Sequence, residues 1–173
     1  ISCGMRAAPG AIERVRIVDG RVEFKTIGDE PPVGLCGSGL LDAVAHLRYA
    51  NLLDRRGRLA GPGVRPAQEG GEAEFVIADE ARSGCGRAVT VTQSDIRELQ
   101  LAKGAIRCGI DTLLQDAGIA SGDLEQVFIA GAFGTYIDVE NAIAIGLLPA
   151  RAPDRISQVG NAAGTGARLA LIS

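Results

Sequence analysis

Three glycine-rich turns divide this chain, and each one joins an extended segment to the start of a predicted helix. They are LCGSG at 35–39, GAFG at 131–134 and GNAAGTGA at 160–167. The first turn of a helix exposes unpaired backbone N–H groups at the positive end of its dipole, and glycine lets a ligand approach the main chain. Three such turns at the carboxyl ends of strands can line one phosphate-binding cleft of an α/β fold.

Each turn taken alone also fits a second interpretation, in which it is only a tight connection between packed elements. The chain has no Walker sequence and no strict Gly-x-Gly-x-x-Gly, so neither a P-loop nor a Rossmann site is supported. No Gly-x-Ser-x-Gly elbow occurs either, and Ser38 fits better as a helix cap or phosphate contact than as a nucleophile. Spacing alone therefore indicates an α/β domain that can bind phosphate, and it assigns no catalytic residue.

Hydrophobic periodicity predicts one compact mixed α/β domain over residues 1–173, with a mixed sheet flanked by helices. A β-hairpin over 12–27 is expected to turn at Asp19-Gly20, a pair that accepts positive φ. The run at 126–130 is apolar throughout, which is typical of a strand buried on both faces. The other predicted elements are, in order, a helix at 38–53, strands at 74–78 and 88–91, helices at 93–117 and 138–147, a strand at 156–159 and a helix that opens within 160–167.

The helix at 93–117 carries the clearest boundary signals. Thr92 and Asp95 have the spacing of a capping box, and Gly118 supplies a stop. Gly104 and Gly109 are costly inside a helix, which favours close approach of another element at these positions. The residues predicted to face the core are Ile96, Leu99, Ile106, Ile110, Leu113 and Leu114.

Charge and hydropathy exclude two classes of partner. The net charge of −3 and an aromatic content of 3% do not suit nucleic-acid binding, and the basic cluster Arg55, Arg56 and Arg58 is interpreted as a solvated loop. No apolar run approaches the roughly 18 residues that a membrane span needs. The first ten residues lack the apolar core of a signal peptide, so the cytoplasm is the expected compartment.

The polar candidates for chemistry are few. Cys3, Cys36, Cys85 and Cys108 are widely spread and are interpreted as small buried hydrophobes, and His46 cannot complete a zinc set with them. We therefore expect no metal site in this chain, and we interpret His46 as a structural residue. The acids Asp95, Asp138 and Glu140 are interpreted as helix caps or first-turn residues.

Five segments, taken together and in this order, resemble the C-terminal part of one protein family, the reductive activators of corrinoid-dependent methyl-transfer enzymes. The resemblance spans almost the whole chain, which makes it more specific than any single glycine turn. The segments are ISCGMRAA at 1–8, GLCGSGLLD at 34–42, TQSDIRELQLAKGA at 92–105, VFIAGAFG at 127–134 and GNAAGTGA at 160–167.

The resemblance implies an actin-like ATPase (ribonuclease H-like) fold, of which this chain is the C-terminal lobe. It implies a larger parent protein with an N-terminal lobe and an iron–sulfur domain that lie outside this chain. Such activators use ATP with Mg²⁺ to return cobalt(II) of a corrinoid protein or corrinoid methyltransferase to cobalt(I). The start at Ile1 fits such a fragment, which we expect to be inactive by itself. The oligomeric state is left open, a homodimer included.

The family's nucleotide contacts carry over to two of the turns. Gly131, Ala132 and Gly134 match its adenosine-side turn, and Gly37, Ser38 and Gly39 match a turn near the phosphates, similar to one in dehydratase activators. Two other functions stay open on the sequence: a lobe of a small-molecule kinase-like or hydantoinase-like enzyme, and a partner-docking module without nucleotide binding.

Overall fold

A computed structural model describes residues 1–66, 71–149 and 153–172, and it contains eight strands and four α-helices. The strands are β1 (Ala11–Val18), β2 (Arg21–Thr26), β3 (Gly34–Leu35), β4 (Val64–Arg65), β5 (Glu74–Ala78), β6 (Val89–Thr92), β7 (Val127–Ile129) and β8 (Ile156–Gln158). The helices are α1 (Gly37–Tyr49), α2 (Gln93–Ala117), α3 (Val139–Ala144) and α4 (Ala162–Ile172).

The chain divides into two compact units, Ile1–Ala105 and Ile106–Ser173, and α2 begins in the first unit and ends in the second. The described strands form three sheets: the mixed sheet β2–β1–β3, the antiparallel sheet β4–β5–β6 and the parallel pair β7–β8. In the described part of the chain, none of the helices combines the length and apolar character that a membrane span requires.

The predicted hairpin is confirmed. Asp19 and Gly20 both have positive φ, 49° and 75°, as a two-residue turn between twisted strands requires. Val15 pairs with Phe24 across the ladder, and Ile17 pairs with Val22. The β1 side chains of this face, Val15 and Ile17, are 1% and 9% exposed, so this face of the hairpin belongs to the core.

Helix α1 packs its first turn against β1, and it ends earlier than predicted. Asn51 adopts a φ of 57°, and its N–H bonds the Arg48 carbonyl at 3.1 Å. The N–H of Leu52 bonds the Leu47 carbonyl at 2.8 Å, which completes a Schellman stop. The apolar stripe continues through Leu53, so the stripe overstated the helix and the left-handed asparagine ended it.

The start of α2 is held by the predicted capping box. The Asp95 carboxylate accepts the Thr92 N–H at 3.0 Å, and the Thr92 hydroxyl accepts the Asp95 N–H at 3.2 Å. The same carboxylate also accepts the backbone N–H and the hydroxyl of Ser2, at 2.7 and 3.1 Å. Asp95 therefore joins the N-terminal segment of the chain to this helix.

The predicted buried face of α2 is wrong beyond its first turns. Ile96 is fully buried, but Ile106 and Leu113 are 52% and 71% exposed. A side chain added at Gly104 or Gly109 would meet nothing within 4 Å in the described structure, so the expected close approach is absent there. The periodicity identified an apolar face of α2 that favours burial, but the described elements leave that face exposed to solvent.

The second unit is built around the parallel pair β7–β8. Phe128 is 62% exposed, so the prediction of a strand buried on both faces is wrong. The Asp138 carboxylate caps α3 by accepting the Asn141 N–H at 2.9 Å, as predicted. This helix ends at Ala144 because Gly146, with a φ of 78°, ends it before the predicted position.

Candidate functional site

Two of the three glycine-rich turns lie side by side in the second unit. Strands β7 and β8 run parallel, so their carboxyl ends reach the same edge of the pair. The Val159 N–H bonds the Ile129 carbonyl at 3.0 Å, and the Gly131 N–H bonds the Gly160 carbonyl at 2.7 Å. The bend after β7 is thereby joined to the turn that precedes α4.

The bend itself is open at Gly131 and Ala132. Gly131 has a φ of 112°, and a Cβ built there would meet nothing within 4 Å. Ala132 is exposed, with helical backbone angles of −58° and −42°. Because the Gly131 N–H is already taken by Gly160, the bend offers a ligand the bare surface of its main chain rather than that N–H donor.

Gly134 has a different role from its two neighbours in the predicted site. It is buried, and a Cβ there would approach Cγ2 of Ile129 to 2.5 Å. A glycine is therefore needed at this position so that the 3₁₀ turn Phe133–Tyr136 can fold back onto β7.

A glutamine that sequence reasoning missed fixes this turn. The Gln158 side-chain amide donates to the Gly134 carbonyl at 2.5 Å and to the Ile137 carbonyl at 2.8 Å. The Thr135 hydroxyl donates to the Gly131 carbonyl at 3.3 Å. The signal in the sequence for such a bond is a glutamine at the end of a strand, here Gln158, two residues before the glycine turn that begins at Gly160.

The start of α4 is capped by Asn161, which was also missed. Its side-chain oxygen accepts the Gly164 N–H at 3.1 Å, and its carbonyl accepts the Thr165 N–H at 3.0 Å. Part of the donor set that the third turn presents is thus used inside the protein. Fewer backbone N–H groups are therefore free to contact an anion at this turn than its glycine-rich sequence suggests.

The turn at Gly37, Ser38 and Gly39 belongs to the first unit and is largely packed away. Cys36, and not Ser38, is the N-cap residue of α1, so the expectation of Ser38 as a cap is wrong. Ser38 is 3% exposed, and its hydroxyl lies 3.3 Å from the Cys36 sulfur. A Cβ at Gly39 would overlap the Ile12 carbonyl, so close packing on β1 explains that glycine.

The cysteines do not behave as one set. Cys36 is buried and Cys3 is half-buried, but Cys85 and Cys108 are exposed, so the prediction of buried hydrophobes is wrong for those two. The Ser83 hydroxyl, 3.1 Å from the Cys85 sulfur, lowers the pKa of that thiol. Among the described residues, no group of three or more His, Cys, Asp or Glu side chains is placed to hold a metal ion.

The remaining polar candidates are structural. His46 accepts the Ile17 N–H through Nδ1 at 3.3 Å and stacks edge-on against Tyr49. Glu140 lies in the first turn of α3, as predicted for the acids of this group. Burial, with a smaller effect of the nearby Arg48, lowers the pKa of Lys103 on α2. None of these side chains lies in the bend after β7.

Two known proteins are similar in sequence to this chain. The chain is 40% identical over 182 residues to the corrinoid activation enzyme RamQ of Eubacterium limosum, with all of the chain aligned to 31% of that protein. It is 28% identical over 183 residues to a Co(II) methylated amine-specific corrinoid protein reductase of Methanosarcina barkeri, covering 93% of the chain and 30% of that protein.

A solved structure has the same fold. The reductive activator for corrinoid, iron–sulfur protein superposes with a TM-score of 0.88 at 42% identity, covering 98% of the chain and 28% of that structure. The chain therefore spans less than a third of the length of these relatives. A family model described as the C-terminal domain of RACo, the ASKHA domain, matches residues 1–173. Because that match covers the whole chain, the chain belongs to this family, and its fold is the actin-like ASKHA fold.

Proposed function

We propose that this chain is the nucleotide-binding C-terminal lobe of an ATP-dependent activator, which returns cobalt(II) corrinoid proteins to cobalt(I) in the cytoplasm. The observation that carries the proposal is the open bend at Gly131 and Ala132, joined to the turn at Gly160. The names of the relatives, which are activators or reductases of corrinoid proteins, support the reaction.

The bend suits the nucleoside part of ATP better than its phosphates. Its exposed surface is main chain without side chains at Gly131, and its own N–H is bonded internally. A flat base can pack on such a surface, whereas a phosphate needs free N–H groups or cations. In this proposal Gly131 and Ala132 contact the adenosine, and Gly134 and Gln158 stabilise the shape of the bend. In the second predicted turn, Gly37 is the exposed residue.

ATP supplies the free energy for an uphill electron transfer, and its Mg²⁺ and the electron come from outside this chain. Among the described residues, no cluster of carboxylates or thiolates is placed to hold Mg²⁺ or the iron of an iron–sulfur centre. We propose that a metal-binding N-terminal lobe and an iron–sulfur domain of the same polypeptide supply them. The relatives, more than three times as long as this chain, have room for both.

The exposed apolar surface of the second unit is an argument for another lobe that covers it. Large side chains stay exposed on three of its elements, with Leu113 on α2, Phe128 on β7 and Leu171 on α4. A parallel pair of strands is stable only when both of its faces are covered. We propose that the rest of the polypeptide covers this surface, and that residues 1–173 form one lobe in the assembled protein.

The test uses the full-length protein and the substitution Ala132→Phe. The backbone at Ala132 is helical and accepts any residue, so a phenyl ring blocks the bend without straining it. We expect the affinity for ATP, measured by isothermal titration calorimetry, to fall at least tenfold. Ala81→Phe, in an exposed turn of the first unit, is the matched control and is expected to bind ATP like the wild type.

Two further measurements separate the parts of the proposal. ATP-dependent formation of cobalt(I), followed by the absorbance of the corrinoid, should decline with Ala132→Phe and not with Ala81→Phe. The isolated 173 residues should show no appreciable ATP turnover. Equal ATP affinity in both variants would exclude the bend as the site, and ATP turnover by the isolated chain would show that the other lobe is not required.

A further inference from the structure

A second concave site lies in the first unit, between the loop that follows α1 and the start of α2. The cavity has a volume of about 650 Å³, within the range of about 300–1,000 Å³ that small-molecule pockets occupy. Three arginines line it: Arg56, Arg58 and Arg97. Arg55, Arg56 and Arg58 are all exposed in a loop, as predicted, and Arg56 and Arg58 also line this cavity, whereas Arg55 is not among the lining residues.

The wall of this cavity is fixed by hydrogen bonds. The side chain of Gln93 accepts the Leu59 N–H at 2.8 Å and donates to the Gly57 carbonyl at 2.6 Å. Gly57 has a φ of 78° and lies so close to the Gln100 amide that a Cβ would overlap it. Both ends of the Gln93 amide are thus used to attach the loop to α2, which leaves the three arginines and Gln100 as the described polar lining side chains available to a ligand.

The charge of the cavity opposes that of the chain. Among the described residues, those that line the cavity include no acid, although the net charge of the chain is −3. Asp54, in the same loop as Arg56 and Arg58, accepts their backbone N–H groups at 2.8 and 2.9 Å, so its carboxylate is directed at the loop backbone. Within the described residues, no ion pair of 4.0 Å or less joins the three guanidinium groups to an Asp or Glu side chain, although Asp54 interacts electrostatically with Arg56 and Arg58.

The cavity also has apolar lining residues. Leu59, which is 3% exposed, is one of them, and the others are Ala60, Val64, Pro66 and Ala73. Guanidinium groups bind phosphate and carboxylate through paired N–H donors, and apolar walls exclude water from the rest of a ligand. The combination selects a molecule with both kinds of surface.

We propose that this cavity binds a small organic anion, with an apolar body and at least one phosphate or carboxylate group. The site lies within Ile1–Ala105, whereas the bend at Gly131 lies in the other unit, so the proposal does not depend on nucleotide binding at the bend. Arg58 and Arg97 hold the anionic group from the loop and from α2, and Leu59 contacts the body of the ligand.

The test is a fluorescence titration of the full-length protein with 1-naphthyl phosphate. We expect saturable binding that weakens with salt, as charge-assisted contacts do. Arg58→Gln and Arg97→Gln are each expected to weaken the binding about tenfold. Arg55→Gln, in the same loop but outside the cavity, is the matched control. Inorganic phosphate and 1-naphthol should each bind more weakly, because each lacks half of the ligand.

The outcomes are decisive in both directions. All three arginine substitutions affect exposed side chains, so equal melting temperatures are the check that each variant is folded. Binding that is lost in Arg58→Gln and Arg97→Gln, and kept in Arg55→Gln and Ala132→Phe, supports the proposal. Undiminished binding in the double variant Arg58→Gln/Arg97→Gln, loss only in Ala132→Phe, or no saturable binding by the wild type would overturn it.

Discussion

The two units of the molecule bury their apolar side chains to different degrees. In the first unit Leu47, Ile77 and Val91 are 0%, 2% and 0% exposed, and they lie on a helix and on two strands of one sheet. In the second unit Leu113 is 71% exposed on α2 and Leu171 is 86% exposed on α4. The first unit therefore has a core of its own, while much of the second unit is an apolar surface.

This difference bears on where function resides in the fold. Burial of apolar area is the main stabilising contribution to a domain, so the first unit can hold its loops in place without help. The second unit carries the open bend at Gly131, and its exposed faces are those that a neighbouring lobe would contact. In our proposal the lobe that completes the core also completes the nucleotide site.

The largest effect is expected from one pair of leucines. Leu47→Ala removes a fully buried side chain from the first unit and should lower the free energy of unfolding by about 2–5 kcal/mol. Leu113→Ala makes the same change on an exposed surface and should alter it by less than about 0.5 kcal/mol. Urea denaturation of the isolated chain measures both values. Similar values would contradict the contrast between the units.

In the full-length protein, Leu113→Ala tests whether another lobe covers this face of α2. If the other lobe packs on α2, Leu113→Ala should become as costly there as a core substitution, at about 2–5 kcal/mol. A substitution that stays neutral in the full-length protein would leave this face without a covering lobe.

A smaller effect is expected from the two capping aspartates. Asp95 is 2% exposed and accepts hydrogen bonds from Thr92 and Ser2, so Asp95→Ala should cost about 2–3 kcal/mol. Asp138 accepts one capping bond, from Asn141, and Asp138→Ala should cost about 1 kcal/mol. The midpoint of urea unfolding measures both. A larger cost at Asp138 would show that the second unit depends on its cap more than its burial indicates.

The sequence predicted the elements well and their surroundings less well. The strand β5, the helix α2 and the hairpin turn at Asp19 depend on local signals, namely alternation, a capping box and a turn that accepts positive φ. The ends of α1 and α3 were missed because Asn51 and Gly146 adopt positive φ inside apolar stripes that continue past them. A stripe shows which face favours burial, but it does not show what covers that face.

The site shows the same limit. Strand–turn–helix patterns predicted a glycine-rich turn at Gly131 and Ala132, and an open bend lies there. The family resemblance is the basis for the proposal that this bend binds a nucleotide. The patterns could not distinguish those residues from Gly39, which is a glycine because α1 packs on the Ile12 carbonyl. Nor could they identify Arg97 as a neighbour of the loop at 56–58, since that proximity arises only from the folded chain.

A moderate effect is expected from two glycines of opposite kind. Gly39→Ala forces α1 away from β1 and should cost about 1–3 kcal/mol, as overpacking of a core does. Gly109→Ala, on the open part of α2, should stabilise the isolated chain by up to about 1 kcal/mol. Thermal unfolding gives the signs. In the full-length protein, a loss of stability with Gly109→Ala would show that another element does approach α2 there.

The smallest effect is expected from acid titration of the loop beside the basic cavity. The backbone N–H of Arg58, with that of Arg56, lowers the pKa of Asp54 from its ordinary value of 3.8. A carboxyl with a lowered pKa in the folded state stabilises the fold above its unfolded pKa, and this contribution is lost as the pH falls through the folded pKa. Asp54→Asn should therefore be less stable than the wild type at neutral pH, and the difference should vanish below the folded pKa, where both side chains are neutral. Urea unfolding at several pH values measures that difference, and a difference that did not change with pH would mean that the charge of Asp54 does not hold the loop.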